Sequence, residues 1–138
     1  MTDWTIETLQ AELDACPAIA FLKLKVDTLD VAATSLTLTM PLQAAVERAP
    51  GSEQFHGGPV ASLIDTAGDY AVALGVGGGV PTMNFRVDYL RPCTGSVLKA
   101  VATARRIGRT VSVADVDILN EQGKLCAVGR GSYMSAIG

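Results

Sequence analysis

The groups able to do chemistry in this chain are concentrated in one stretch, Phe55-His56-Gly57-Gly58-Pro59-Val60-Ala61-Ser62-Leu63-Ile64-Asp65-Thr66-Ala67. Gly57 and Gly58 are poor helix formers placed where a helix begins, and they let another group approach the backbone closely. The N–H groups of a first helical turn have no intrahelical partner and stand at the positive end of the helix dipole. Such a terminus can stabilise negative charge developing on a carbonyl oxygen under attack, which makes it an oxyanion-site candidate. Pro59 agrees, because a first-turn proline removes an N–H the helix does not use. His56, the single histidine, abuts the glycine pair and is placed on the substrate side; its plainer role is a packing residue with one hydrogen bond.

Asp65 lies in the middle of a helix that is apolar nearly all round, and a buried carboxylate is costly unless it is paired or functional. It is the candidate catalytic acid; its plainer role is a charge on a solvated helix face. Asp69 follows one turn later, and two acids at i and i+4 repel, which raises one pKa toward a general-base range; Asp69 itself reads as a helix-surface or rim acid. Gly57 and Asp65 are eight residues apart, about 12 Å along the axis, too far to act on one carbonyl group. Two copies of the helix packed antiparallel about a twofold axis would bring each Asp65 to face the other copy's Gly57. The spacing therefore predicts a homo-oligomer, a homodimer or a dimer of dimers (homotetramer), with sites shared between subunits.

Around this segment the chain alternates between two periodicities. Thr5 to Cys16 carries Ile6, Leu9 and Leu13 at helical spacing, with Thr5 as N-cap and Pro17 beyond the end. From Phe21 the pattern becomes alternation, Leu22, Leu24 and Val26 and then Leu36, Leu38 and Met40, which predicts two half-buried strands. Residues 43–55 form a loop or short helical turn. The second helix runs from Gly57 to about Gly75, with Val60, Leu63, Ile64, Ala67, Ala71 and Leu74 on one face, and a glycine turn ends it. That GVGGGV turn is no phosphate loop, which would open a helix and carry Lys before Ser or Thr. Strands over 82–90, 96–107, 110–119 and 124–134, joined by short turns, predict an antiparallel meander. The fold class is α+β, one domain over residues 1–138 whose antiparallel sheet wraps a long central helix.

With 49% hydrophobic residues in 138, one domain can bury a sizeable core. Lys plus Arg total 11 against 14 acids, a formal charge of −3, so nucleic acid and anionic membranes are not expected partners. No apolar run reaches the roughly 18 residues of a membrane span, and Asp3 and Glu7 stand where a signal peptide is basic. Cys16, Cys93 and Cys126 form no CxxC and read as reduced, mostly buried thiols of a soluble, cytoplasmic protein rather than a catalytic nucleophile.

The order of elements together with the HGGxxASLxDTA pattern resembles the hotdog-fold acyl-CoA thioesterases of the PaaI type, over nearly the whole chain. The stretch Thr82 to Pro92, ending in Tyr89-Leu90-Arg91-Pro92, is similar to the family's strand, as are Gly108-Arg109 between two long strands and the stretch Gly123 to Gly131. The resemblance implies hydrolysis of an acyl-CoA to free acid and CoA, with neither metal nor redox cofactor. It implies that the Gly57 N–H polarises the thioester carbonyl, with Gly58 beside it, and that Asp65 of the opposing subunit is nucleophile or general base. His56 would contact or orient the thioester, and the Thr82 hydroxyl would help place the attacking water. Where several family members carry an Asn, this chain has Pro50, with Ser52, Glu53 and Gln54 as the nearest polar side chains. Phe55, Tyr70, Met83 and Phe85 are candidates to line the acyl pocket. Among Arg91, Arg105, Arg106, Arg109 and Arg130, Arg109 is the expected contact for the CoA phosphates. The rivals are a non-catalytic acyl-CoA binding or sensing protein on the same fold and, more weakly, a structural oligomer without ligand.

Overall fold

The first helix, α1 (Ile6–Ala15), starts as its sequence predicts, with Thr5 and Thr8 exchanging side-chain and backbone bonds in a capping box and Leu9 and Leu13 buried. The structure, a computed structural model, describes residues 1–135. Pro17 does more than follow α1: it opens a further short helix, α2 (Pro17–Ala20), where its missing N–H is not needed. The strand expected from Phe21 begins only at Lys25. Leu22 and Leu24 are buried, but residues 21–24 form a turn with Lys23 at φ 55°. The Gln10 side chain bonds the Leu24 carbonyl and the Val26 N–H, both at 2.8 Å, and so takes the place of a strand partner.

Strand β1 (Lys25–Asp30) pairs with β2 (Ser35–Pro41), whose Leu36, Leu38 and Met40 point into the core. A 3₁₀ turn over Ala44–Val46 interrupts the loop that leads to α3 (Gly57–Val76). Gly77 closes α3 in the left-handed region at φ 92°, donating to the Ala73 carbonyl. The remaining strands are β3 (Thr82–Tyr89), β4 (Val97–Arg106), β5 (Val111–Leu119) and β6 (Leu125–Met134). They form one antiparallel sheet with β1 and β2 in the order β1-β2-β4-β5-β6-β3.

The four-strand meander is thus only partly realised. β4, β5 and β6 follow one another, but β3 leaves β4 and lies at the far edge against β6. Residues 90–96 cannot turn back as a hairpin, because other elements hold them. Leu90 and Arg91 donate to the Cys126 carbonyl, Phe55 donates to the Cys93 carbonyl, and Gln54 bridges Thr94. α3 lies across the sheet, burying Val60, Leu63, Ile64, Ala67, Ala71 and Leu74 against it. Tyr133 of β6 is fully buried beneath it, and a Cβ at Gly68 or at Gly131 would overlap the phenol oxygen. No helix among the described residues is long and apolar enough to cross a membrane.

Candidate active site

His56 caps α3: its backbone is extended, and its Nδ1 accepts from the Gly58 N–H at 3.3 Å. The loop behind it is tied to the 3₁₀ turn, since the His56 N–H donates to the Val46 carbonyl at 2.8 Å. Tyr89, at the end of β3, donates its phenol proton to the Gly57 carbonyl at 2.5 Å. Its ring also sits over the Gly57 Cα, where a Cβ would lie 3.3 Å from the phenol oxygen. The Gly58 N–H is therefore occupied, whereas the Gly57 N–H has no acceptor among the described residues. Gly57 lines a cavity of about 420 Å³, together with Arg48, Gln54, Phe55, Tyr89 and Arg91, among others. Cys93 also lines this cavity, and burial first, then neighbouring Cys126, pushes its thiol up to about 12. A thiol held protonated at neutral pH is a poor nucleophile.

Two turns along α3, the Thr82 hydroxyl donates to Asp65 Oδ1 at 2.8 Å. The buried Tyr133 phenol donates to the Asp65 backbone carbonyl at 3.2 Å, so the acid sits on a stretch of helix fixed from below. Asp65 and Asp69 line a second cavity, about 480 Å³, with Leu13, Cys16, Ile19 and Tyr70 among its other walls. Asp69 is half-buried rather than a surface acid, and its carboxyl accepts from the Val80 N–H at 3.4 Å. Burial pushes its pKa up to about 7; the Val80 bond opposes this, and the charges of Asp65 and Glu12 add to it. Like-charge repulsion, the cause anticipated from the i, i+4 spacing, is here secondary to desolvation.

Asp65 and Thr82 are thus brought together, and His56, Gly57, Gly58 and Phe55 are brought together elsewhere. The two cavities share no residue. Tyr70 faces the acid cavity, Met83 is exposed on the edge strand and Phe85 packs on the core. Of the polar residues near Pro50, Gln54 alone reaches the glycine cavity, where it accepts from Arg48. Arg109 stands in the exposed β4–β5 turn and lines neither cavity, while Arg91 and the unanticipated Arg48 line the glycine one. Tyr133 was not visible as a site residue. Its only trace in the sequence is Gly68, a glycine inside the apolar face of a long helix. Among the described residues, no group of three or more His, Cys, Asp or Glu side chains could hold a metal ion.

The description that matches this chain among protein families is "Thioesterase superfamily", over residues 54–127, from the loop before α3 into β6. The chain belongs to the thioesterase superfamily. This thioesterase is 32% identical to the acyl-coenzyme A thioesterase PaaI of Escherichia coli over 129 residues, 93% of this chain and 87% of that protein. It resembles the solved structure of the E. coli PaaI protein with a TM-score of 0.81 at 28% identity, covering 96% of this chain and 92% of that one. Against the thioesterase HI1161 of Haemophilus influenzae the TM-score is 0.84 at 26% identity, covering 96% and 91%. The PaaI-type resemblance and the hotdog architecture expected from the sequence are met, and the chain is a thioester hydrolase.

Proposed function

We propose that this thioesterase hydrolyses an acyl-CoA to the free acid and CoA, the Gly57 N–H of one subunit and Asp65 of the other acting on one thioester carbonyl. The supporting observation is the position of β3. Its first residue, Thr82, bonds Asp65, its last, Tyr89, bonds Gly57, and the strand lies at an open sheet edge with Met83 53% exposed. Antiparallel pairing of two such edges about a twofold axis sets the Thr82 end of one strand beside the Tyr89 end of the other. Asp65 then faces the partner's Gly57, and the 12 Å separation within one helix ceases to matter.

In this site the Asp65 carboxylate takes a proton from water while Thr82, already donating to Oδ1, keeps lone pairs with which to orient it. The water oxygen attacks the thioester carbon, and the resulting oxyanion accepts from the Gly57 N–H at the positive helix end. Collapse of the intermediate breaks the carbon–sulfur bond and releases the CoA thiolate, a leaving group that needs little assistance. The acyl group occupies the cavity walled by Leu13, Ile19 and Tyr70. Arg48 and Arg91 at the glycine cavity are the cations at hand for the CoA phosphates; Arg109 serves them only across a subunit boundary. The smallest active species is a homodimer, and the free thiols of Cys16, Cys93 and Cys126 fit a reducing, cytoplasmic setting.

The test is free-thiol release across short, medium, long and aromatic acyl-CoAs, by wild type and by Asp65→Asn, with fold and oligomer verified. Asp65→Asn is expected to lower kcat by about 10²-fold or more on every accepted substrate. A folded Asp65→Asn protein with wild-type turnover overturns the assignment.

A further inference from the structure

We propose that Tyr89 is a positioning residue for the oxyanion site: its phenol and the His56 imidazole clamp the peptide between Gly57 and Gly58, and so aim the Gly57 N–H at the substrate. The inference rests on the reading of Gly57 as the oxyanion donor. It concerns what keeps that donor in place.

A peptide unit flanked by two glycines has little steric resistance to rotation, because neither neighbour has a Cβ. This one is held at both ends. Its oxygen accepts from Tyr89 Oη at 2.5 Å, and its N–H donates to His56 Nδ1 at 3.3 Å. Tyr89 Oη adds to the bond that the Gly57 carbonyl, as the first of α3, owes to the helix four residues on. The adjoining peptide, which carries the Gly57 N–H, is held through its own carbonyl, that of His56, which accepts from the Val60 N–H at 3.4 Å, and the Tyr89 phenol fills the space beside Gly57 where a Cβ would stand.

The clamp has a fixed base. Beyond Tyr89, the Leu90 and Arg91 N–H groups both donate to the Cys126 carbonyl of β6, and Pro92 follows with its restricted φ. The Tyr-Leu-Arg-Pro stretch thereby acquires a physical role, a rigid strand end that delivers one hydroxyl to the helix start. Partial burial, with Cys93 adding to it, raises the phenol above its ordinary pKa, so Tyr89 remains a donor across the neutral range. The general value of such pre-organisation is that the donor does not have to reorient as charge develops.

Tyr89→Phe tests this, since it keeps the ring and removes one oxygen from a side chain 51% exposed. The expected result is a fall in kcat of about tenfold, smaller than the loss of a direct oxyanion donor, with KM for acyl-CoA within about twofold. The second measurement is the amide spectrum of ¹⁵N-glycine-labelled protein, in which Gly57 and Gly58 should shift and broaden while Gly68, Gly77 and Gly131 stay in place. A Tyr89→Phe enzyme with wild-type kcat and unmoved Gly57 and Gly58 signals overturns the clamp; if Asp65→Asn is inactive in parallel, the thioesterase site stands without it. If KM alone rises, Tyr89 is a substrate-binding surface and the clamp is again overturned. If neither variant alters turnover, the site assignment fails and the clamp fails with it.

Discussion

The two cavities along α3 are built on opposite principles. At the start of the helix the proposed reactive group is a backbone N–H, which carries no formal charge, and the next peptide is bonded at both ends by side chains, His56 and Tyr89. In the middle, the proposed reactive group is a carboxylate to which Thr82 donates, and Asp69, whose pKa burial pushes up to about 7, lines the same cavity. The first end depends on direction and the second on solvation. One helix can hold both because its terminus is naturally positive while its middle is buried. Held about 12 Å apart on one helix, the two meet only in the proposed dimer.

The largest expected effect comes from separating the two ends deliberately. Asp65→Ala removes the acid, and Gly57→Val fills the space over the Gly57 Cα that the Tyr89 ring occupies. Each homo-oligomer should retain under about 1% of activity. Randomly mixed subunits should recover about a quarter of wild-type activity per chain, because half the dimers are hybrids and each hybrid has one intact site. Verified heterodimers without any recovery would confine each site to one chain.

A middle-sized effect distinguishes how the two ends are supported. Gly68→Ala drives a methyl group into the Tyr133 phenol under the acid end and should destabilise the fold by about 1–3 kcal/mol, seen as a lower Tm. Combination with Tyr133→Phe should restore part of the loss. Unchanged Tm in Gly68→Ala would mean that Tyr133 yields easily and does not brace Asp65.

The smallest effect concerns charge at the acid end. A carboxyl whose pKa rises from 3.8 to about 7 on folding imposes no penalty below 3.8, a growing one between the two values and the full penalty above 7. Asp69→Asn should accordingly stabilise the protein at pH 8, by about 1 kcal/mol after allowance for partial solvent access, and leave it nearly unchanged at pH 4. Thermal melts at both pH values check this. An equal gain at both would trace the effect to packing and not to the proton.

Much of the fold was legible because it is encoded locally. The Thr5 cap, the 3.6-residue stripe from Val60 to Leu74, the glycine after α3 and the strand limits on either side of Gly108 and Gly123 are set by neighbours a few residues away. The glycine pair at the start of α3 and the acid eight residues on, about 12 Å along the axis, are set out by the same local spacing. Residues 21–24 deceived by alternation, since burial repeats every second residue in an extended turn as well as in a strand. What only the tertiary structure decided depends on long-range contacts: the placing of β3 beside β6, the Tyr89 phenol on Gly57, the Tyr133 phenol under Asp65, and the absence of Arg109 from either cavity. The raised pKa of Asp69 is of this kind too, because desolvation belongs to the assembled cavity, and no spacing along a single helix specifies how much water that cavity excludes.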